Sequence, residues 1–529
     1  MTQGDGSSED TAELEETGES LTEIQTRGCR KALFWGCLPV LLLTGSVYGV
    51  LHFQMLSTRE VLAQQAERDL AELKSRSHVV PALLSPEKPG NGADFFLAAE
   101  WCISSRPGLD DPPKALVDHP VVTAFQANRA LSTWRDATRL FRSDVSALSP
   151  PKALMGKLGL SVTKPRSGTA KPLTKAEAAE LQRSLKLGEL LREGARRTKA
   201  DWGSRLERGF TTPIPNLLHL RVLARLLHEH ARRSPPAEAL DDGLAVLALG
   251  MSVAEADLLI TAMVGVAIEI DGYRLIEEAL CRPQTRETLE RTLAVLAKVR
   301  RPSAAHLLEC ERIVSGAGLA PIAGRRLAGQ PKSMEVDSIS GTGLGEKLRN
   351  NPVVMTREWA RYDATMRRMR QALKKPKPLR DKELQEINAE LEESWSFVSR
   401  MLIINVQGAD EQLVEAELAR RCVQVLVAAQ LHRLEAGAFP KQLKDLAGRL
   451  GGAPPLDPCT LKPLVFGGDG AWVGVGSPSS RNPAWWTTVP GSIKLPKTLI
   501  SVAAGSAAPQ TPEPHERPAD KPDAGPGVR

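Results

Sequence analysis

Between Lys31 and Arg59 the chain carries no charged side chain. The stretch ALFWGCLPVLLLTGSVYGVLHFQML, Ala32 to Leu56, is 25 residues long. As a helix rising ~1.5 Å per residue it spans about 37 Å, enough to cross a ~30 Å hydrocarbon layer with some tilt. Trp35 at one end and Tyr48 and Phe53 at the other supply rings of the kind that settle at membrane interfaces. Pro39 falls early in the run, where a helix tolerates it best. Residues 27–56 are therefore expected to form a transmembrane anchor, and this fixes how the rest is read.

Arg27, Arg30 and Lys31 precede the run, whereas only Arg59 follows closely. The positive-inside rule then puts the N-terminus in the cytoplasm and the bulk of the chain in the periplasm of a bacterial inner membrane. The leader, Met1 to Thr26, holds eight acidic residues (Asp5, Glu9, Asp10, Glu13, Glu15, Glu16, Glu19, Glu23) and no basic one. It has too little apolar surface to offset its ordering entropy and reads as a disordered cytoplasmic tail. An acidic leader and so long an apolar run do not fit a cleaved signal peptide. The second apolar run, Leu258 to Ile268, is only 11 residues long and reads as a buried core helix.

Beyond the anchor, aromatic residues make up only 4% of the sequence. A core of Leu, Val and Ala favours helix over strand. Residues 57–80 read as a helical stalk with a loose stripe of Val61, Leu62, Ala66, Leu70 and Leu73. Residues 81–408 read as a helical body with segments near 93–105, 119–146, 174–198, 214–233, 285–299, 354–375 and 381–405. Ser234 is the expected cap of the helix after RSPP. SVAE at Ser252 to Glu255 has capping-box form and is expected to open a long helix through Leu280. Short connections imply antiparallel neighbours, so the fold class expected is mainly α, a repeat-like array of helical hairpins.

The end of the chain changes character. A long helix (409–436) leads into AGAFPKQLKDL, where Gly437 sits at a left-handed cap and Pro440 opens a short helix. After the turn-rich PPLDPCTLKP, PLVFGGDGAWVGVG reads as a β-hairpin around Gly467 to Gly470. Residues 409–480 thus form a small helix-plus-β-hairpin module, with Phe439, Leu443, Leu446, Leu464, Phe466, Trp472 and Val475 as its expected core. Residues 481–529 become rich in Pro, Ala and Gly and read as an irregular to disordered tail.

This order resembles the C-terminal half of type II secretion pseudopilins. The matching positions are Gly437, Phe439, Pro440, Leu443, Leu446, Asp457, Pro458, Lys462, Pro463, Leu464, Gly476 and Ser477. The N-terminal methylation motif of that family is absent, and SPSSRNPAWW lacks the carboxylates of its calcium loop. Polymerisation and calcium binding are not implied. The whole layout also resembles a group of uncharacterised bacterial single-pass membrane-anchored helical proteins, through NGADFFLAAEW and LLHLRVLARLLHEHARR. That resemblance implies architecture and envelope location.

Motifs that carry chemistry are scarce. The histidines do not cluster in sequence, and there is no HExxH, P-loop, GxGxxG or GxSxG. The seven cysteines include no CxxC. Cys281 and Cys310 flank an expected hairpin, where a disulfide or two buried thiols both fit. GTGLGEK at Gly341 to Lys347 lacks GK[ST] and reads as a loop. No catalytic, cofactor-binding or metal-ligating residue is assigned, and no cofactor is implied. The densest surface feature is RRMRQALKKPKPLRDK, with Arg367, Arg368, Arg370, Lys374, Lys375 and Lys377 as candidate ligands for an anionic surface and Trp359 and Tyr362 upstream. Outside the cytoplasm its target would be lipid or polysaccharide and not nucleic acid. A solvated charged turn is the simpler reading. The expected function is a non-catalytic envelope scaffold or adaptor with an unidentified protein partner, linked to secretion or pilus-type machinery. The alternative is an envelope-polymer-processing enzyme with its site in an inter-helical groove.

Overall fold

The computed structural model describes residues 52–103, 112–126, 185–328, 351–394, 406–468 and 473–477, with isolated residues around and between them. A helix over residues 52–75 (α1) is followed by β1 (Lys88–Asn91), α2 (Gly92–Ile103), α3 (Pro120–Gln126), α4 (Leu187–Ala195) and β2 (Arg197–Lys199). Then come α5 (Leu217–Arg233), α6 (Pro236–Ala254), α7 (Leu259–Leu280), α8 (Arg286–Lys298), α9 (Ala304–Ile322), α10 (Pro352–Leu373), α11 (Lys377–Glu393) and α12 (Val406–Ala436). A 3-10 turn (Leu443–Arg449) and the strands β3 (Val465–Gly468), β4 (Val473–Gly476) and β5 (Trp486–Thr487) close the order. The protein is mainly α, an array of antiparallel helical hairpins with a small helix-plus-β-hairpin module at its end.

Local chemistry sets the boundaries. Asn216, Thr285, Ser303 and Asn351 each accept a hydrogen bond from a main-chain N–H in the first turn of the following helix. Each satisfies a donor that the helix itself cannot. Gly437, at φ +77°, ends α12 and donates to the carbonyl of Arg433. No bulkier side chain takes that conformation as readily.

Two apolar cores result. The larger joins α2, α4 to α8 and α12 around Leu187, Leu223, Leu244, Tyr273 and Leu426. The second gathers the inner face of α1 (Ala63, Ala66) with α9, α10 and α11 around Trp359, Tyr362 and three methionines. A smaller group, Leu70, Leu73, Leu206, Leu258, Cys310, Ile313 and Val314, ties the end of α1 to the connection between α6 and α7. The stalk residues 57–75 are therefore packed along the body.

The terminal module shares the larger core. Phe439, Leu443, Leu446, Leu464, Val473 and Val475 are buried within it, and Phe466 packs against its edge. The boundary expected at 408/409 thus runs through a common interior. β3 and β4 pair antiparallel with Phe466 opposite Val475, and β5 adds an unexpected third strand beside β4. Asp457 is fully buried and accepts from Cys459 N (2.9 Å), Thr460 Oγ1 (2.8 Å) and Ser477 Oγ (2.9 Å), which fastens the turn at Pro458 to the end of β4.

Several expectations need correction. Ser252 opens no helix; it is buried in the last turn of α6, and the chain reverses over residues 255–258. The first turn of α7 is capped from outside, by Glu311 of α9, whose Oε2 accepts from Leu259 N at 3.2 Å. Ser234 lies at the end of α5, and the prolines at 235 and 236 start α6. The helix expected to reach residue 405 ends at Glu393. α9 and the parallel pairing of β1 with β2 had no counterpart in the sequence reading. Cys281 and Cys310 are not bridged.

The acidic leader, residues 341–347, Trp472 and the tail from residue 503 lie outside the described residues, as does most of the Ala32 to Leu56 span. Among the described residues, no helix is long and apolar enough to cross a membrane.

Candidate functional site at the elbow between α6 and α7

The turn after α6 is built without glycine or proline. Asp257 instead adopts φ +58°, a conformation that costs a non-glycine residue on the order of 1 kcal/mol. Such a residue persists only where its surroundings hold it. Here they do: Asp257 is 3% exposed and lies among polar groups drawn from two distant parts of the chain, residues 76–78 and 306–310.

Arg76, just after α1, donates from Nη1 to Asp257 Oδ1 (2.8 Å) and from Nη2 to Glu255 Oε2 (2.8 Å). The same Nη1 lies against Nε2 of His306 on α9. His78 pairs Nδ1 with the carbonyl of Glu255 (3.1 Å) and brings Nε2 to 3.4 Å from Asp257 Oδ2. One helical turn beyond His306, Cys310 places Sγ 3.3 Å from His306 Nε2 and 3.8 Å from Asp257 Oδ1. One potential ligand atom from each of Asp257, His306 and Cys310 lies within 4.8 Å of the other two.

Burial dominates the electrostatics. It lowers the His306 imidazole to about 4, aided by the charges of Arg76 and Arg370, so this ring is neutral near pH 7. It raises the Cys310 thiol well above the usual thiol range, with the Asp257 charge adding to the effect. The Asp257 and Glu255 carboxyls are likewise pushed up by burial, against the opposing pull of Arg76 and His78.

This cluster was invisible along the sequence, because its members lie at 76, 78, 255, 257, 306 and 310. The available signal was the i, i+4 pair of His306 and Cys310, which shares a face only if 304–322 is a helix.

Several other buried charges sit in ion-pair networks. Glu269, fully buried, accepts from Arg301, which also donates to Tyr273 Oη (2.7 Å) and Glu417 Oε2 (3.2 Å). Arg192 and His230 both face Asp242. Arg312, 5% exposed, joins Asp69 on α1, Glu309 on α9 and Asp363 on α10 (2.6 Å to Asp363).

The basic run is similarly engaged. Arg367 pairs with Asp363, Arg368 with Glu390, Arg370 with Glu309, Lys375 with Glu383, and Lys377 with Asp381 and Asp410. Lys374 stands exposed at the end of α10. Trp359 and Tyr362, expected to accompany the cations at the surface, are buried in the second core. A cleft of about 220 Å³ between α5 and α7 is lined by Arg232, Glu278 and Arg282 among others. Glu278 accepts there from His228 (3.0 Å), and Arg282 donates to the carbonyls of Ala231 and Ser234. No protein-family model, curated protein or solved structure matches this chain.

Proposed function

We propose that the protein is a single-pass, membrane-anchored scaffold or adaptor of the bacterial envelope. Its helical body would lie outside the cytoplasmic membrane, where it would engage another envelope protein. The observation that carries this reading is the attachment along the body of α1, whose first residues are the last five of the apolar run. Ala63, Ala66, Leu70 and Leu73 enter its cores, and Asp69 and Arg76 are clamped by buried charges. An element held in this way would keep the body at a fixed distance from a membrane anchor, as a scaffold requires.

A link to secretion or pilus-type machinery rests on the terminal module. Helix, 3-10 turn and hairpin follow one another there, and Asp457 bonds to Ser477, two of the positions that carry the pseudopilin resemblance. The rival reading, an envelope-polymer-processing enzyme, would draw on the α5–α7 cleft. The polar groups of that cleft are engaged with one another and with main-chain carbonyls, which favours the adaptor.

Reporter fusions after Leu56 test the topology. A phosphatase that works only outside the cytoplasm should be active there, and a cytoplasm-only fluorescent reporter should be dark. The reverse pattern overturns the reading. Crosslinking in intact cells followed by membrane pull-down should then recover a discrete envelope protein.

A further inference from the structure

We propose that the elbow between α6 and α7 is a binding site for one divalent transition-metal ion, zinc by its donor set, held by Asp257, His306 and Cys310. A carboxylate, an imidazole and a thiol are the three donor types that zinc takes in proteins. With bonds of about 2.0–2.3 Å, the edges of a tetrahedral zinc site are about 3.6 Å long. The observed Cys310 Sγ separations, 3.3 Å to His306 Nε2 and 3.8 Å to Asp257 Oδ1, bracket that length.

A positive group already stands at this vertex. Arg76 Nη1 touches both Asp257 Oδ1 and His306 Nε2, two of the three donors. Its other terminal nitrogen is held separately by Glu255 at 2.8 Å. The guanidinium therefore has an anchor to keep when Nη1 gives way to an ion. Charge points the same way. With His78 neutral, the Asp257 and Glu255 carboxylates oppose a single arginine, one positive charge short. A divalent ion that takes Cys310 as thiolate, with its proton released to solvent, brings three negative groups into balance with Arg76 and the metal.

Second-sphere support is present as well. His78 is fixed through Nδ1 on the carbonyl of Glu255, and its Nε2 faces the outer oxygen of Asp257. Outer partners of this kind orient ligating groups in metal sites. Three protein ligands leave one position for water or for His78.

The test uses the full-length protein in detergent, freed of metal and titrated with Co²⁺ as a visible probe. One equivalent should bind, giving tetrahedral d–d absorption and a thiolate-to-cobalt charge-transfer band that Zn²⁺ abolishes. Cys310→Ser should lose the charge-transfer band, and His306→Ala should lose the tetrahedral spectrum. Arg76→Gln removes the competing cation and should lower the half-saturating Co²⁺ concentration roughly tenfold, the scale on which neighbouring groups move metal affinity. The proposal fails if neither wild type nor Arg76→Gln shows the spectrum while circular dichroism reports both folded. It fails equally if the band survives in Cys310→Ser, since another thiol would then be its source.

Discussion

A Cβ built on Gly265 of α7 would lie 2.5 Å from the main-chain oxygen of Gly250 on α6. The reciprocal Cβ on Gly250 would meet the oxygen of Gly265 at 2.6 Å. The two helices touch backbone to backbone here, and Gly243 and Gly272 continue the seam on one side, against Ile276 and Leu247. Gly265→Ala must push the hairpin apart and should destabilise the protein by at least ~1–3 kcal/mol, the usual cost of overpacking. Gly448→Ala, where a methyl group meets nothing within 4 Å, serves as the control and should leave the denaturant midpoint unchanged or slightly raised.

Phe439 is 4% exposed, and the guanidinium of Arg433 sits 4.9 Å above its ring. Phe439→Ala should cost on the order of 3 kcal/mol, read as a lower urea midpoint. The ring belongs to the larger core, so the loss should appear in the main unfolding transition and not in a separate local one. An unchanged midpoint would remove the case for a packed terminal module, and the secretion link with it.

Burial alone would raise the Glu417 carboxyl, but hydrogen bonds and charge from Arg420 and Arg421 outweigh it and hold the group at about 2 instead of its usual 4.5. A carboxylate depressed in the folded state contributes stability that is complete above the unfolded value and is lost as pH falls toward the folded one. Glu417→Gln should therefore be less stable than wild type at pH 7, by on the order of 1–2 kcal/mol. That difference should close between about pH 4.5 and pH 2. Chemical denaturation of both proteins across that range checks the sign.

Arg312 joins α1 to α9 and α10 through Asp69, Glu309 and Asp363. Arg312→Ala would leave those carboxylates facing one another without their common cation, a loss of about 3–5 kcal/mol for a buried pair. Limited proteolysis should then cut within residues 52–75, where the wild type resists. Arg312→Lys should protect only partly, because an ammonium cannot fork to three carboxylates as guanidinium does. Equal resistance in all three proteins would show that the apolar face of α1 holds it unaided.

The helical character of the chain and the ending of α12 were legible because local rules decide them. Gly437 needs a positive φ, and Val465 to Gly476 alternates around a glycine-rich turn. The start of α7 misled because its cap, Glu311, comes from a helix 52 residues further on, while SVAE offered a local cap that tertiary packing did not use. Trp359 and Tyr362 misled for a related reason. Placed beside cations in sequence, they lie on the buried side of α10, while Arg361 and Arg368 are exposed. The elbow cluster lay beyond sequence reasoning, since Arg76, Asp257 and Cys310 meet only after three helices have packed.

The place of α12 in the larger core bears on how the protein is made. Among the described residues it is the last long helix in chain order, yet Gln430 bonds to the carbonyl of Leu280, 150 residues earlier, and Arg420 to that of Leu296. Contacts of such high sequence separation form late. Until residues 406–436 arrive, α7 and α8 stand with an open apolar flank, a state prone to aggregation. A chain stalled before Val406 would hold every earlier described helix and still lack one wall of the larger core, so that core can close only once residues 406–436 have been made.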